Sequence, residues 1–381
     1  MNRRKRVEMA LQHEEADRIP WDCSFNYKAY ENLKKYLGIS TGRDTIYNHN
    51  MVVWLEMEVV DVLEIDLYYL NLKKPSSVPK FNPANEFYVD EFGVAFKKIR
   101  GQQRGIFNFE PFENPLKDAT FDEIRKYHWP TAENSERIEG LEKMAKTLYE
   151  DTDLALVGQF DVSPFTQSMF LRGVDQWFLD FTENQELVSF MLNKITDIAI
   201  ELNKIGLKAA GRYLTMLMLS GDDLGSQNGM LISPATFRNL IKPVFKRYYE
   251  ETKKEFLKYN PNGKIFNHTC GDVFEIIPDY IEIGLDVLSN LQPVRKMDHK
   301  MIKQKYGDRL CFHGGVDIHK VLNSGSPDFI KEEVKKCIKN LGINGGYIIA
   351  PTTHMLHDIP PQNIVVMRDC ILEYGKYPLQ Y

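Results

Sequence analysis

A histidine and a cysteine placed two residues apart are the strongest sign of chemistry in this sequence. His268 and Cys270 follow the apolar run 264–266 and precede Gly271, which allows a sharp turn. Side chains at i and i+2 of a strand point the same way, so the two would face one side together at a strand end. Imidazole and thiolate are good zinc ligands, but zinc takes three or four protein ligands. Two interpretations stay open: a metal site, or a buried histidine beside a small apolar cysteine.

Eight short apolar runs that alternate with helical patterns predict the elements that position this pair. Most of the runs are nearly continuous, as expected for parallel strands buried on both faces. The predicted strands are residues 18–25, 65–70, 154–161, 213–221, 264–270, 287–291, 310–315 and 347–351. The alternation predicts an α/β fold, a (β/α)8 TIM barrel, in a single domain over residues 1–381. An open doubly wound sheet is the competitor, but no Gly-x-Gly-x-x-Gly follows the first strand.

One segment, residues 73–114, breaks the alternation. It holds two aromatic-rich runs, 86–89 and 94–99, around the turn sequence Asp90-Glu91-Phe92-Gly93. This pattern predicts a β-hairpin inserted after the second strand.

The carboxyl ends of barrel strands carry the chemistry in this architecture, and this rule nominates the remaining candidates. The two adjacent acids at the end of the fourth strand are more than a helix cap requires. Single aspartates at the ends of other strands are equally well explained as helix caps. The candidates for acid catalysis or for completing a metal shell are Asp222, Asp223, Gln159 and His354. The candidates for lining a substrate pocket are Phe25, Tyr68, Gln159, Phe160, Asn290 and His313. His313 fits a core position equally well, and His354 fits an exposed loop.

Composition limits the class of function. The formal net charge is -5 and the pI is about 6.0, which argues against a nucleic-acid binder. No apolar stretch approaches the ~20 residues of a membrane span, so no membrane association is expected. The five cysteines are scattered and odd in number, which favours a reducing cytoplasm over a disulfide framework.

The sequence also resembles the uroporphyrinogen decarboxylase superfamily, which includes cobalamin-dependent methyltransferases. The resemblance runs from Arg3 to about Tyr374. Its most specific segments are residues 222–227, 231–234, 268–272, 283–287, 314–317, 345–351 and 359–363. The resemblance implies a (β/α)8 barrel, in agreement with the strand pattern.

Two departures from the family patterns decide which branch the chain resembles. Porphyrinogen decarboxylases carry Arg-Gln-Ala-Gly-Arg after the first strand, where residues 23–28 here read Cys-Ser-Phe-Asn-Tyr-Lys. The His-x-Cys element of the methyltransferase branch is intact at His268 and Cys270. Those enzymes often take a further cysteine ligand to zinc after the eighth strand, where this chain has Thr352-Thr353-His354. The resemblance therefore does not identify the remaining zinc ligands.

The methyltransferase resemblance implies an enzyme with zinc at His268 and Cys270. A corrinoid (cobalamin) would be supplied by a partner protein, and the enzyme would be a homodimer. The substrate would be a small methylated compound: a methoxylated aromatic, methylamine, methanol or a thioether. Two alternatives remain: a decarboxylase of a non-porphyrin acid, and a non-catalytic barrel that binds a corrinoid or another ligand.

Overall fold

The computed structural model describes residues 1–40, 52–79, 81–82, 84–100, 107–219 and 221–380. The strands in these ranges are β1 (Leu67–Asn71), β2 (Phe87–Val89), β3 (Ala95–Arg100), β4 (Phe107–Glu113), β5 (Ala155–Gln159), β6 (Met216–Leu219), β7 (Gly225–Ser226), β8 (Gly229–Met230), β9 (Lys264–His268), β10 (Val287–Asn290), β11 (Cys311–Val316) and β12 (Tyr347–Pro351). Within the described residues, seven of them form one parallel sheet in the order β1-β5-β6-β9-β10-β11-β12. The predicted α/β barrel architecture is confirmed.

Most of the described helices lie between successive strands of the parallel sheet. The helices are α1 (Arg3–Leu11), α2 (Tyr27–Leu37), α3 (Met57–Leu63), α4 (Phe121–Arg125), α5 (Leu141–Asp151), α6 (Pro164–Arg172), α7 (Val174–Glu183), α8 (Gln185–Ala210), α9 (Pro234–Thr236), α10 (Lys242–Phe256), α11 (Ile277–Glu282), α12 (His299–Tyr306), α13 (Pro327–Leu341) and α14 (Pro361–Tyr374). Ser233 and Ser326, each followed by proline, cap their helices by accepting the N–H of Thr236 and Phe329. No helix among the described residues combines the length and the apolar character needed to cross a bilayer.

Alternate residues of each strand face the barrel interior, and the interior changes character along the strands. Its inner layer is apolar and includes Leu67, Val287 and Cys311, which pack against residues of α1. The next inward positions, two residues further along, are Tyr69, Ser289 and His313, and these line a cavity. Inward positions two residues apart on the same strands therefore belong to two different layers, a packed apolar layer and a polar layer that lines the cavity.

The predicted first strand is an extended segment rather than a regular strand. Pro20 has no N–H to donate, and the N–H of Trp21 donates to the Asp66 carboxylate (2.8 Å) instead of to a neighbouring strand. The segment still closes the ring: Asp22 N–H donates to the Ile349 carbonyl of β12, and Asp66 N–H donates to the Trp21 carbonyl. Its isolated bridges include Trp21 with Ile349.

The predicted hairpin insertion is present and is larger than predicted. Strands β2 and β3 pair antiparallel, and β4 adds a third strand to their sheet. The sequence pattern missed β4 because Pro111 interrupts its β-forming residues. Residues 80, 83 and 101–106 of the predicted insertion lie outside the described residues.

Candidate metal centre

Three side chains that could bind a metal meet at the carboxyl ends of β6 and β9. His268 ends β9, Cys270 follows two residues later, and Asp223 comes from the loop after β6. One ligand atom from each lies within 4.8 Å of the other two. The two loops are joined directly, because the Cys270 N–H donates to Asp223 Oδ1 (2.8 Å) and the Leu224 N–H donates to Thr269 Oγ1 (3.3 Å).

The distances within this cluster fit zinc. Cys270 Sγ lies 3.6 Å from His268 Nε2, and Nε2 lies 3.9 Å from Asp223 Oδ1. Ligands bonded at 2.0–2.3 Å around a tetrahedral ion are about 3.5 Å apart. Sulfur, imidazole nitrogen and carboxylate oxygen are all donors that zinc accepts, so the residues present fit a zinc ion with one position left for another ligand.

Burial sets the protonation of two candidate ligands, His268 and Cys270. It lowers the pKa of His268, against the charge of Asp223, which raises it. Burial and the Asp223 charge together raise the pKa of the Cys270 thiol well above its usual range, whereas the hydrogen bond from Asn290 lowers it. Histidine is therefore neutral and ready to ligate, and the thiol has to lose a proton when a metal binds.

Asn290 and Gly271 support the cluster. Asn290 Nδ2 donates to Cys270 Sγ at 3.0 Å and lies 3.2 Å from His268 Nε2. Gly271 has φ +77, and a Cβ there would come within 2.4 Å of the carbonyl carbon of Gly225. Only glycine allows both the turn and this close approach of the two loops.

The cluster opens into a cavity of about 720 Å³ that most of the sequence candidates line. Tyr68, Gln159, Phe160, Asn290, His313 and His354 are on its wall. The Tyr68 hydroxyl donates to the Leu55 carbonyl (3.2 Å). Burial and the nearby His268 lower the pKa of His354 to about 4, so its ring is uncharged at neutral pH.

Two candidates lie away from the cavity. Phe25 is fully buried and packs against Tyr30, with ring centroids 5.8 Å apart. Asp222 is buried, and its Oδ1 accepts the N–H of Thr166 (2.8 Å) near the start of α6. Burial raises the pKa of Asp222 to about 8. Adjacent residues point opposite ways, as expected, and Asp223 is the one that faces the cavity.

A second polar cluster in the cavity joins the predicted residue His313 to Asp22, Tyr69 and Ser289, which were not among the predicted site residues. Asp22 Oδ2 accepts the Tyr69 hydroxyl (2.6 Å) and lies 3.0 Å from His313 Nε2. His313 Nδ1 lies 2.9 Å from Ser289 Oγ. The i, i+2 spacing of Val287 and Ser289, and of Cys311 and His313, was the available signal that Ser289 shares the inward face with His313.

Comparisons with known proteins give one family match and several similar solved structures. A family model described as uroporphyrinogen decarboxylase (URO-D) matches residues 110–374. No curated protein matches the sequence. Among solved structures, a methyltransferase from Methanosarcina mazei is similar, with TM-score 0.65 and 19% identity over 98% of this chain and 99% of that one. A B12-independent methionine synthase from Shewanella sp. W3-18-1 gives TM-score 0.38 and 11% identity over 83% of this chain and 85% of that one.

Proposed function

This chain belongs to the uroporphyrinogen decarboxylase family, and on that premise we propose that it is a zinc-dependent methyltransferase. It moves a methyl group between a small methylated substrate and a corrinoid carried on a separate protein. The observation that carries the proposal is the set of sulfur, nitrogen and oxygen donors at Cys270, His268 and Asp223, within 4.8 Å of one another. The name of the similar Methanosarcina mazei protein, a methyltransferase, supports the same class of reaction.

Methyl transfer requires that the charge on the heteroatom of the substrate be stabilised. A methyl ether or methylamine has a poor leaving group, and charge develops on its heteroatom as the methyl leaves. Zinc, when bound, would supply a Lewis acid at that atom or stabilise a thiolate acceptor. Asn290 would donate its hydrogen bond to the ligand sulfur and so orient Cys270. The hydrogen bond from the Cys270 N–H to Asp223 would fix the carboxylate beside it.

The cavity supports a small substrate that a larger partner can reach. Its volume of about 720 Å³ is within the range of small-molecule sites. Tyr68, Phe160 and Phe266 give its wall apolar surface, and the metal ligands lie at strand ends, the face that a corrinoid protein would approach.

A decarboxylase of another acid would need free cations to bind carboxylates. Cys23 and Ser24 line the cavity where the decarboxylase pattern has its arginines. Of the described cations on the wall, Arg137 pairs with Glu91 (2.6 Å), Lys73 pairs with Glu139 (3.0 Å), and Lys74 contacts the Tyr88 hydroxyl. These contacts favour the methyltransferase over the decarboxylase.

The test is methyl transfer. Zinc-loaded protein is mixed with a reduced cob(I)alamin protein and, in separate reactions, with a methoxylated aromatic, methylamine, methanol and a thioether. We expect one donor to convert the corrinoid to methylcob(III)alamin, seen in its absorbance. Absence of conversion with every donor, together with carbon dioxide release from a carboxylic acid, would contradict the proposal and favour the decarboxylase.

The proposal includes a homodimer, and a monomer in light scattering at micromolar concentration would contradict that part.

A further inference from the structure

The inserted sheet of β2, β3 and β4 buries one face and exposes the other. On the buried face, the ring of Phe96 packs edge-on against Phe170 of α6, with ring centroids 5.7 Å apart. On the opposite face, four large apolar side chains are between 42% and 52% exposed: Phe87, Val89, Ile99 and Phe112. Apolar side chains gathered on one exposed surface ordinarily mark a contact with another molecule.

The strand register places these side chains together. Phe87 lies opposite Lys97, and Lys97 lies opposite Glu110, so the three form one row across the sheet. Residues two positions further along the same strands point to the same side. Phe112 is the extra residue of a bulge in β4, and its ring lies 6.0 Å from that of Phe87. The outer face of the inserted sheet therefore consists of Phe87, Val89, Lys97, Ile99, Glu110 and Phe112.

The charges on this outer face match those of a second copy of itself. Lys97 and Glu110 are neighbours of opposite sign, and neither has an ion-pair partner among the described residues. The Lys97 ammonium lies 5.1 Å from the centre of the Phe112 ring instead. If two such faces meet about a two-fold axis that runs along the strands between β3 and β4, each Lys97 lies against the Glu110 of the other copy. The outer face is thus self-complementary, as an isologous interface requires.

We propose that the outer face of the inserted sheet is the interface of the homodimer, and that it is covered by the same face of a second copy of this chain. This inference rests on the homodimer of the proposed function and names the surface that forms it. The neighbouring rings of Phe87 and Phe112 would be buried between the copies, where aromatic side chains contribute strongly to association. Two Lys97–Glu110 pairs would fix the orientation of the copies.

The first test is the mass of the full-length protein in solution, measured by sedimentation over a range of concentrations. We expect the wild type to be a dimer at micromolar concentration. Phe112→Ser should raise the dissociation constant by at least about tenfold, because it removes an aromatic side chain from the interface. Ile343→Ser is the matched control and should leave the constant unchanged. Ile343 is 42% exposed and lies in the loop that enters β12, at the end of the barrel away from the cavity.

Charge reversal tests the pairing between the copies. Lys97→Glu alone and Glu110→Lys alone should each raise the dissociation constant by at least about tenfold, because each places like charges opposite one another twice in the dimer. An equimolar mixture of the two variants should recover the wild-type constant, since each variant supplies the charge that the other lacks. A contact within one copy could not produce this recovery. A mixture that associates no better than either variant alone would overturn the proposal.

These results are separable from those of the proposed function, because the mass of the protein does not depend on methyl transfer. A dimer that is unaffected by Phe112→Ser would overturn this inference and leave the homodimer intact. A monomeric wild type that transfers methyl groups would overturn the inference and the homodimer and leave the methyltransferase intact. If the wild type is a monomer and Phe112→Ser slows methyl transfer to a corrinoid protein but not to free cob(I)alamin, the outer face binds the corrinoid protein, which would also overturn the inference.

Discussion

Cys270 Sγ and His268 Nε2 lie 3.6 Å apart, close to the separation of two ligands on one tetrahedral zinc ion. The pair shares one side of the chain at the end of β9 because the residues are two apart. Neither residue selects a metal by itself. The adjacent loop after β6 supplies the third donor, and the hydrogen bond from Cys270 N–H to Asp223 Oδ1 (2.8 Å) holds the two loops in register.

The two adjacent acids should differ in their effect on catalysis. Asp223 faces the cavity and the ligand cluster, whereas Asp222 is buried against the start of α6. Asp223→Asn should lower the rate of methyl transfer by at least about tenfold relative to Asp222→Asn, a modest loss for a group placed at the reacting centre. Equal rates in the two variants, with both folded by circular dichroism, would remove Asp223 from the mechanism.

Asp222 should instead make stability depend on pH. Burial raises its folded pKa from 3.8 to about 8. The folded state therefore holds a proton that the unfolded state loses near pH 3.8. This contribution is fully present below that pH and is lost as pH rises toward 8, by at most about 1.4 kcal/mol per pH unit.

Comparison with Asp222→Asn isolates this effect, because the amide oxygen can still accept the Thr166 N–H. The free energy of unfolding of the wild type minus that of the variant, from urea titrations, should fall between about pH 5 and about pH 8. A difference that is constant across this range would show that Asp222 is not protonated in the folded protein.

Replacement of Gly271 should disturb the metal cluster. A Cβ at Gly271 would lie 2.4 Å from the Gly225 carbonyl carbon, whereas a Cβ at Gly284, which has φ +93, meets nothing within 4 Å. Gly284→Ala should cost only the positive-φ strain, about 1–2 kcal/mol. Gly271→Ala should cost at least ~1 kcal/mol more in urea unfolding and should also lower zinc content. Matching losses of stability in the two alanine variants would contradict the close approach.

Much of the fold was predictable because local patterns carry it. Apolar runs located the strands of the parallel sheet, and the Ser-Pro pairs at Ser233 and Ser326 located two helix starts. The sequence could not predict that residues 18–25 form an extended segment instead of a regular strand. That outcome depends on the acceptor of the Trp21 N–H, which is the Asp66 carboxylate, 45 residues away.

The site was only partly predictable because the inward face of each strand is a tertiary property. Tyr68 and Tyr69 are the same residue type, and a shift of one position along a strand moves a side chain to the opposite face. In the structure, it is the Tyr69 hydroxyl that donates to Asp22. Asp22 and His313 are 291 residues apart in sequence, so no local spacing announces their contact. The i, i+2 pair at His268 was predictable because the spacing lies within one strand.

Loss of the ligand sulfur should abolish metal binding. Cys270→Ser replaces the thiolate with a much weaker zinc ligand, so zinc content after growth in zinc-supplemented medium should fall to less than about a tenth of the wild-type value. Cys337→Ser is the control, since Cys337 is buried in α13 and contacts the Gly315 carbonyl (3.4 Å). Unchanged zinc in Cys270→Ser would place the metal elsewhere.

Zinc X-ray absorption on the purified wild-type protein tests the metal centre most directly. The cluster of Asp223, His268 and Cys270 predicts about one zinc per chain, with one sulfur ligand at about 2.3 Å and the remaining ligands nitrogen or oxygen at about 2.0–2.2 Å. Metal-free protein after growth with zinc, or bound zinc without a sulfur ligand, would contradict the account.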